Sequence, residues 1–379
     1  MAIIHAVFYG NPDRYPPIIN GTRILSIKKY LVTIFCRATN EDIRVDYPVE
    51  VTVDRVGQGR GNSWWEYFGF AAKVLRTKHR DADFFMGHDM HGFLIARLLA
   101  WIYRKPLIYH CHEYVDRSTG SQLNWGGRLV YFFQEYFART ADLVIVPDVD
   151  RARLMMVEFK LPRTPLVVTN SPMDAVAFSG EKLHQALENK GKRFERVVIR
   201  QGSVGPSHAI ETTLQSIPLW ANKKWGFVIL GPGQPDYIEE LYRLAWELGV
   251  AEQFVVLPPV SYDEVLEFTC GADAGHSFYS PIDANNRYST TASNKLMEYM
   301  AAGIPILASD RPSLRSFVEE NQYGLVADES YPESIARVVN TLLADPVQMR
   351  QMGANGRQAF IETFCYRKQF APVLDWLQT

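Results

Sequence analysis

Apolar residues occur in two rhythms along this chain, short continuous runs and longer stretches at helical spacing, and the two alternate. Runs at 2–9, 31–37, 49–56, 84–86, 106–109, 143–146 and 166–168 predict strands. Between them, 22–30, a stretch opening at Ser63, 90–103, 127–138 and one reaching Phe159 predict helices. The segment 170–196 breaks the rhythm with Pro172, Gly180, many charges and little apolar periodicity after Phe178, which predicts a domain boundary. Alternation then resumes. Strands are expected at 197–200, 227–230, 254–257 and around 272–278, with helices from His208 and at 236–248 and 262–268. A helix and strand over 293–309, helices at 333–343 and 346–361, and a terminal segment 367–377 complete the chain. Strands alternating with helices imply parallel sheets covered on both faces.

The expected fold class is therefore α/β, with two Rossmann-like doubly wound domains. They would span 1–170 and 196–365, joined by a linker region 171–195, with 366–379 packing back on the first. Ligands of such sheets sit outside the carboxyl ends of the strands, here expected in a cleft faced by both domains.

Composition narrows the function classes. The 379 residues are 47% hydrophobic and 22% charged, a globular balance. A formal net charge of −2 supplies no global basic field, so nucleic acid is not an expected partner. Cys36, Cys111, Cys270 and Cys365 form no C-x-x-C pair, which fits reduced thiols in a cytoplasm. The first residues read as a strand, not a signal peptide, and the apolar stretch 93–103 is interrupted by Arg97. A cytoplasmic protein is expected, with one route to peripheral contact at a membrane's inner face. That route is the helix opening Ser63-Trp64-Trp65-Glu66-Tyr67-Phe68, with Trp64, Phe68 and Ala71 or Ala72 at helical spacing and basic residues at its end. A helix simply facing the core fits the same pattern.

Several loops carry candidate chemistry. Gly21, just before a predicted helix start, would let backbone approach a ligand. The Gly-rich 57–63 lacks the G-K-[ST] ending of a phosphate loop and reads as a mobile connection. His88-Asp89 and His110-Cys111-His112-Glu113 end neighbouring predicted strands, and His110 and His112 share a face. Metal binding, hydrogen bonding to a substrate and structural pairing with backbone are the alternatives there. No third ligand cluster follows, so no metal is expected. Gln201-Gly202-Ser203-Val204-Gly205 leads from strand to helix and could present N–H groups to a diphosphate. It is not G-x-G-x-x-G, so a nicotinamide enzyme is not predicted. In 293–309, Ser293 can cap a helix that Gly303 ends, and Lys295 adds a cation at its anion-friendly start. Asn294 and Glu298 lie four apart on one face, offering phosphate binding at the tip and a carboxylate for sugar hydroxyls. An ordinary buried helix with a solvated Glu298 is the alternative, and on these residues alone both stand.

Taken together, these pieces resemble the retaining nucleotide-sugar glycosyltransferases with the GT-B fold, the glycogen-synthase-like and polysaccharide-building group. The likeness is clearest from Arg200 onward. It runs through Gln201-Gly202 with Glu211, Ile229-Leu230-Gly231-Pro232-Gly233, Pro259 to Val265 and Gly271-Ala272-Asp273-Ala274. It culminates in Ser293-Asn294-Lys295-Leu296-Met297-Glu298 and the residues to Ile306. His88-Asp89 and His112-Glu113 resemble looser landmarks of the first domain.

The resemblance implies that Glu298 holds the donor ribose, while Ser293, Asn294, Lys295, Gly202 and Ser203 surround the diphosphate. His112 would act at the transferred sugar as the catalytic residue. It implies no cofactor and no tightly bound metal, only a nucleoside-diphosphate sugar donor, UDP-linked, and a glycan or lipid-linked hydroxyl acceptor. Two departures stand out. Thr290 occupies the position of a second family glutamate, and Ser203 and His208 stand where cations are common, with a charged His208, Arg287 and Lys295 as substitutes. These departures keep two other readings in view, a nucleotide-sugar epimerase-like enzyme and a non-catalytic nucleotide-sugar-binding protein.

Overall fold

The computed structural model describes residues 1–38, 44–58, 63–281, 284–287 and 290–379, so positions 59–62 of the Gly-rich connection lie outside the described residues. The chain forms two units, one of Met1–Asn170 with Tyr366–Thr379 and one of Ser171–Cys365.

Unit 1 is built on a parallel sheet of β1 (Ile3–Phe8), β2 (Leu31–Ala38), β3 (Val51–Gln58), β4 (Phe84–His88), β5 (Leu107–His110), β6 (Leu143–Val146) and β7 (Leu166–Val167). Their order is β3-β2-β1-β4-β5-β6-β7, so the winding reverses between β1 and β4. Every residue of β5 and β6 is buried, as a sheet covered on both faces requires. Register pairs Phe8 with His88 and His88 with His110, which lines these side chains up at the carboxyl edge.

Two expectations for this unit fail for visible reasons. The first helix is Pro16–Ile27, not 22–30, because two prolines suited to a helix's first turn start it early. Gly21 therefore sits mid-helix, where a Cβ would lie 3.4 Å from Tyr366 Oη and 3.5 Å from the Phe370 ring. It marks a close packing contact, not a ligand-facing loop. In the helix Trp64–Arg76, the buried positions are Tyr67, Phe70 and Val74, whereas Trp65 and Phe68 are exposed.

Unit 2 repeats the plan with β8 (Arg196–Gln201), β9 (Trp225–Leu230), β10 (Phe254–Leu257), β11 (Ala274–Ser277), β12 (Ile306–Ser309) and β13 (Gly324–Ala327). The order β10-β9-β8-β11-β12-β13 reverses between β8 and β11. Alternate residues of β9 feed opposite cores, Phe227 and Ile229 packing with Ile210, Leu214 and Leu342, and Val228 and Leu230 with Leu296, Met297 and Met300. The stretch expected as a linker, 171–195, belongs to this unit and contains the helix Glu181–Asn189. Its Leu183 and Leu187, one turn apart, are buried in the second core.

Candidate functional site

At the β8/β11 reversal of unit 2, three chain segments converge. A doubly wound sheet leaves its ligand crevice at such a point. β8 runs into Gly202 at φ +95°, and β9 into Gly231 at φ +152°. A Cβ on Gly231 would lie 2.2 Å from the Gly202 carbonyl oxygen, so these turns meet backbone to backbone. A Cβ on Gly202 would lie 3.0 Å from Lys295 Nζ, which places the Lys295 ammonium against the β8 turn.

Lys295 belongs to the helix Asn294–Ala302, which begins after an extended Ser293 and stops at Gly303 with φ +75°. The Ser293 hydroxyl does not close the first turn as expected. It lies 3.5 Å from Tyr279 Oη instead. One turn into the helix, Glu298 is buried, and its Oε2 accepts a 2.9 Å hydrogen bond from Gln201 Nε2. Burial raises the Glu298 pKa, while the Gln201 hydrogen bond and the Lys295 charge pull it back.

The positive charge of this edge comes from Lys295 and Arg200. Arg200 is fully buried, with Cζ 5.2 Å from the Tyr279 ring centroid and Nη1 3.4 Å from His276 Nδ1. Lys295 Nζ lies 5.7 Å from the same ring. Burial alone would raise the Tyr279 phenol, but the Lys295 and Arg200 charges, with hydrogen bonds to Ser293 and Lys295, bring it down to about 8. Its backbone is fixed by its N–H donating to Ser309 Oγ at 3.0 Å and by Arg311 Nη2 donating to its carbonyl.

His208 meets Tyr279 edge to face at 5.5 Å. Burial, then the Arg200 and Lys295 charges, push its pKa down to about 2. The substitute cation expected at His208 is therefore a neutral imidazole, because burial and the two positive charges beside it both disfavour its protonated form. Ser203 is exposed and Thr290 buried.

Native interiors rarely leave polar atoms unpaired. At this edge Arg200 Nε and Nη2, Gln201 Oε1, His208 Nδ1, Ser277 Oγ, Thr290 Oγ1 and Asn294 Oδ1 are buried with no hydrogen-bond partner among the described residues. Two unpaired guanidinium donors on a buried arginine suit an anion. Sequence reasoning missed Arg200 and Tyr279. Its available signal was a charged residue late in the apolar run 197–200.

Unit 1 collects His88, His110 and His112 at the ends of β4 and β5. All three are buried, and His88 Nδ1 lies 2.9 Å from His112 Nε2 in nearly parallel rings. Asp89 adopts φ +50°, a left-handed conformation that Asp tolerates better than most. Its Oδ1 accepts from the N–H groups of His112 at 2.8 Å and Glu113 at 3.1 Å. Burial, then the Glu113 charge, push the Asp89 carboxyl up to about 7. Arg151 Nη1 donates to the His112 carbonyl at 3.0 Å. Burial and neighbouring imidazoles hold all three histidines well below their usual pKa, so each is neutral. His112 can thus offer a neutral imidazole to a substrate. In total, Ser293, Asn294, Lys295, Glu298, Gly202 and His208 gather at one edge of unit 2, and His112 lies in unit 1.

Comparison with known proteins adds family to geometry. Residues 181–359 match the model of "Glycosyl transferases group 1", and 28–172 match "Glycosyl transferase 4-like domain". The chain is 26% identical over 187 residues to a Mycobacterium tuberculosis protein named as a GDP-mannose-dependent alpha-(1-6)-phosphatidylinositol monomannoside mannosyltransferase. That match covers 49% of this chain and 46% of the relative, so the chain spans about half the length of that relative. It is 29% identical over 315 residues to the D-inositol 3-phosphate glycosyltransferase of Nocardia farcinica, covering 75% of this chain and 64% of that one. Among solved structures, Anabaena HepE in complex with UDP and glucose superposes over 100% of both chains, with a TM-score of 0.75 and 15% identity. WaaG, a glycosyltransferase involved in lipopolysaccharide biosynthesis, superposes over 97% of this chain and 98% of its own, with a TM-score of 0.73 and 13% identity. These structural likenesses establish the fold, and the family models establish the lineage of both units. The chain belongs to the GT-B glycosyltransferase family.

Proposed function

We propose that the protein transfers a sugar from a nucleoside-diphosphate sugar, a UDP-sugar, to a hydroxyl of a glycan or lipid-linked acceptor with retention of configuration. The observation that carries this reading is the buried Glu298, held by Gln201 one turn inside a helix whose start is flanked by Lys295 and Arg200. Glu298 accepts hydrogen bonds from the donor ribose, and the N–H groups of Asn294, Lys295, Gly202 and Ser203 face the diphosphate. Lys295 and Arg200 offset the charge that grows on the leaving diphosphate, so no tightly bound metal is required.

In the transfer, the anomeric carbon loses its bond to the diphosphate oxygen and gains one to the acceptor oxygen on the same face. The departing phosphate takes the acceptor proton. His112 hydrogen-bonds the transferred sugar as a neutral imidazole.

Thermal-shift measurements with UDP, GDP and ADP and their sugars test the donor, because a ligand that prefers the folded state raises its stability. Uridine compounds should give the largest shift. Glu298→Ala and Lys295→Ala should each cut transfer by about 100-fold or more while the circular dichroism spectrum is kept. Turnover by both variants at the wild-type rate would sink the site assignment, and an inverted anomer by NMR would remove retention. A new sugar epimer in a donor-only incubation would favour the epimerase reading.

We further place the protein in the cytoplasm at the inner face of a membrane, with unit 1 making peripheral contact. Trp64 packs onto Gly126, and their chain neighbours Trp65 and Trp125 are the two most exposed tryptophans, at 85% and 80%. Nearby helices present an apolar groove of about 420 Å³ lined by Leu94, Leu98, Trp101, Phe133 and Phe137 with Arg97. Aromatic surface with basic residues suits an interfacial layer. No described helix is long and apolar enough to cross a membrane. Flotation with anionic liposomes at low salt should carry the protein, and Trp65→Ser with Trp125→Ser should release it. Wild-type protein that stays at the bottom of the gradient removes this contact.

A further inference from the structure

We propose that His88, His110 and His112 form a binding site for one divalent transition-metal ion of the zinc class, and that its occupancy blocks sugar transfer. One ring nitrogen from each of the three lies within 4.8 Å of the others. Zinc–imidazole bonds of about 2.0–2.1 Å separate two tetrahedral ligand nitrogens by about 3.4 Å. The 2.9 Å His88–His112 contact lies about 0.5 Å inside that spacing and the 4.8 Å outer limit of the cluster about 1.4 Å outside it, so side-chain adjustments of roughly an ångström complete the set. Imidazole is a ligand suited to zinc, copper and nickel, and a three-imidazole set leaves a fourth position for water.

The cluster is built into the fold. His88 and His110 are register partners on adjacent strands, and His112 follows on the same strand end. Strand ends hold ligand geometry more closely than loops do. The His112 backbone is clamped from both sides, its N–H by Asp89 and its carbonyl by Arg151. The His112 Nδ1 atom is buried without a hydrogen-bond partner among the described residues, so the ring is committed only through its other nitrogen. The transfer proposed above draws its charge stabilisation from Arg200 and Lys295. A metal on His112 therefore removes a sugar-facing group without supplying a needed one. The blocking half of the proposal rests on that reading, whereas the binding half does not.

Cobalt reports on both halves. Metal-stripped full-length protein titrated with Co²⁺ should bind one equivalent and show the intense visible bands of low-coordinate cobalt, which Zn²⁺ then displaces. His88→Gln and His110→Gln should each weaken binding tenfold or more, since loss of even an outer partner of a metal ligand costs about that much. His184→Gln, at an exposed surface histidine, should leave binding unchanged. Circular dichroism confirms that each variant is folded. A wild-type spectrum that stays that of hydrated Co²⁺ overturns the site whatever the variants do, and His110→Gln binding like wild type overturns the ligand set. Stoichiometric Zn²⁺ with undiminished transfer overturns the blocking half. Failure of metal-free protein to transfer any sugar counts against the proposed function and leaves the cobalt result standing.

Discussion

Gln201 Nε2 donates to Glu298 Oε2 at 2.9 Å, tying the end of β8 to the first turns of the helix Asn294–Ala302. The bond orients a buried carboxylate at the sheet's reversal, and cutting it leaves a polar group stranded. Glu298→Ala should lower kcat/KM for donor by about 150-fold or more, the loss expected from two charged hydrogen bonds, each worth ~1.5–3 kcal/mol. It should also lower the melting temperature, because Gln201 loses its acceptor in a buried setting. Steady-state kinetics and a thermal melt on the same preparation check both.

Arg200 separates binding from stability. A buried charge is costly to keep, and replacing it with an apolar side chain of similar length is often neutral or stabilising. Arg200→Met should keep or raise the melting temperature yet weaken nucleotide binding by tenfold or more. Calorimetric titration with UDP beside a denaturant melt distinguishes this from simple misfolding.

The two glycine turns should respond differently to a single methyl. In Gly202→Ala the new Cβ meets the mobile end of Lys295, and the strain is that of a positive φ, about 1 kcal/mol. In Gly231→Ala it meets a carbonyl oxygen at 2.2 Å, so backbone must move. Urea melts should show Gly231→Ala as the more destabilised by at least ~1 kcal/mol.

On the proposed donor site, Tyr279 should set an alkaline limit to binding. Its phenol pKa is brought down to about 8, and a phenolate between Arg200 and Lys295 would cancel the positive charge proposed to face the diphosphate. Affinity for UDP should fall as pH rises through about 8. Tyr279→Phe should hold its affinity to about pH 9.5, where an ordinary tyrosine is still mostly neutral. Titrations across that range provide the measurement.

The buried histidines set the acid side of stability. His88, His110, His112 and His276 all have native pKa values well below 6.5. The unfolded chain binds the extra protons, so their contribution is complete above pH 6.5 and is lost as pH falls. Each proton taken up on unfolding steepens the loss by up to ~1.4 kcal/mol per pH unit. Urea melts between pH 7 and pH 5 should show this slope, reduced in His110→Gln.

Much of this was legible beforehand, for identifiable reasons. Apolar runs such as Leu143–Val146 and Phe254–Leu257 follow a polar residue and end at a proline, and have little else to become. The helix Asn294–Ala302 is legible because Gly303 ends it and a polar Ser293-Asn294 opens it. The helix Glu181–Asn189 was not, since only Leu183 and Leu187 anchor it among charges. Gly21 misled because the prolines before it look like loop residues and instead begin a helix. His208 and Arg200 exchanged roles because charge state depends on burial, which spacing does not reveal. Arg200 reads in sequence as the tail of a strand, and only the fold surrounds it completely.

Unit 1 is discontinuous in sequence, closed by residues that follow all of unit 2. During synthesis, unit 2 has its whole sequence available before unit 1 does. The helix Pro16–Ile27 must wait for Tyr366, whose hydroxyl donates to the Pro17 carbonyl at 2.9 Å, and for the Phe370 ring against Gly21. The first unit to emerge from the ribosome is thus the last to be finished, and a nascent chain cut short at Cys365 leaves it without its closing segment.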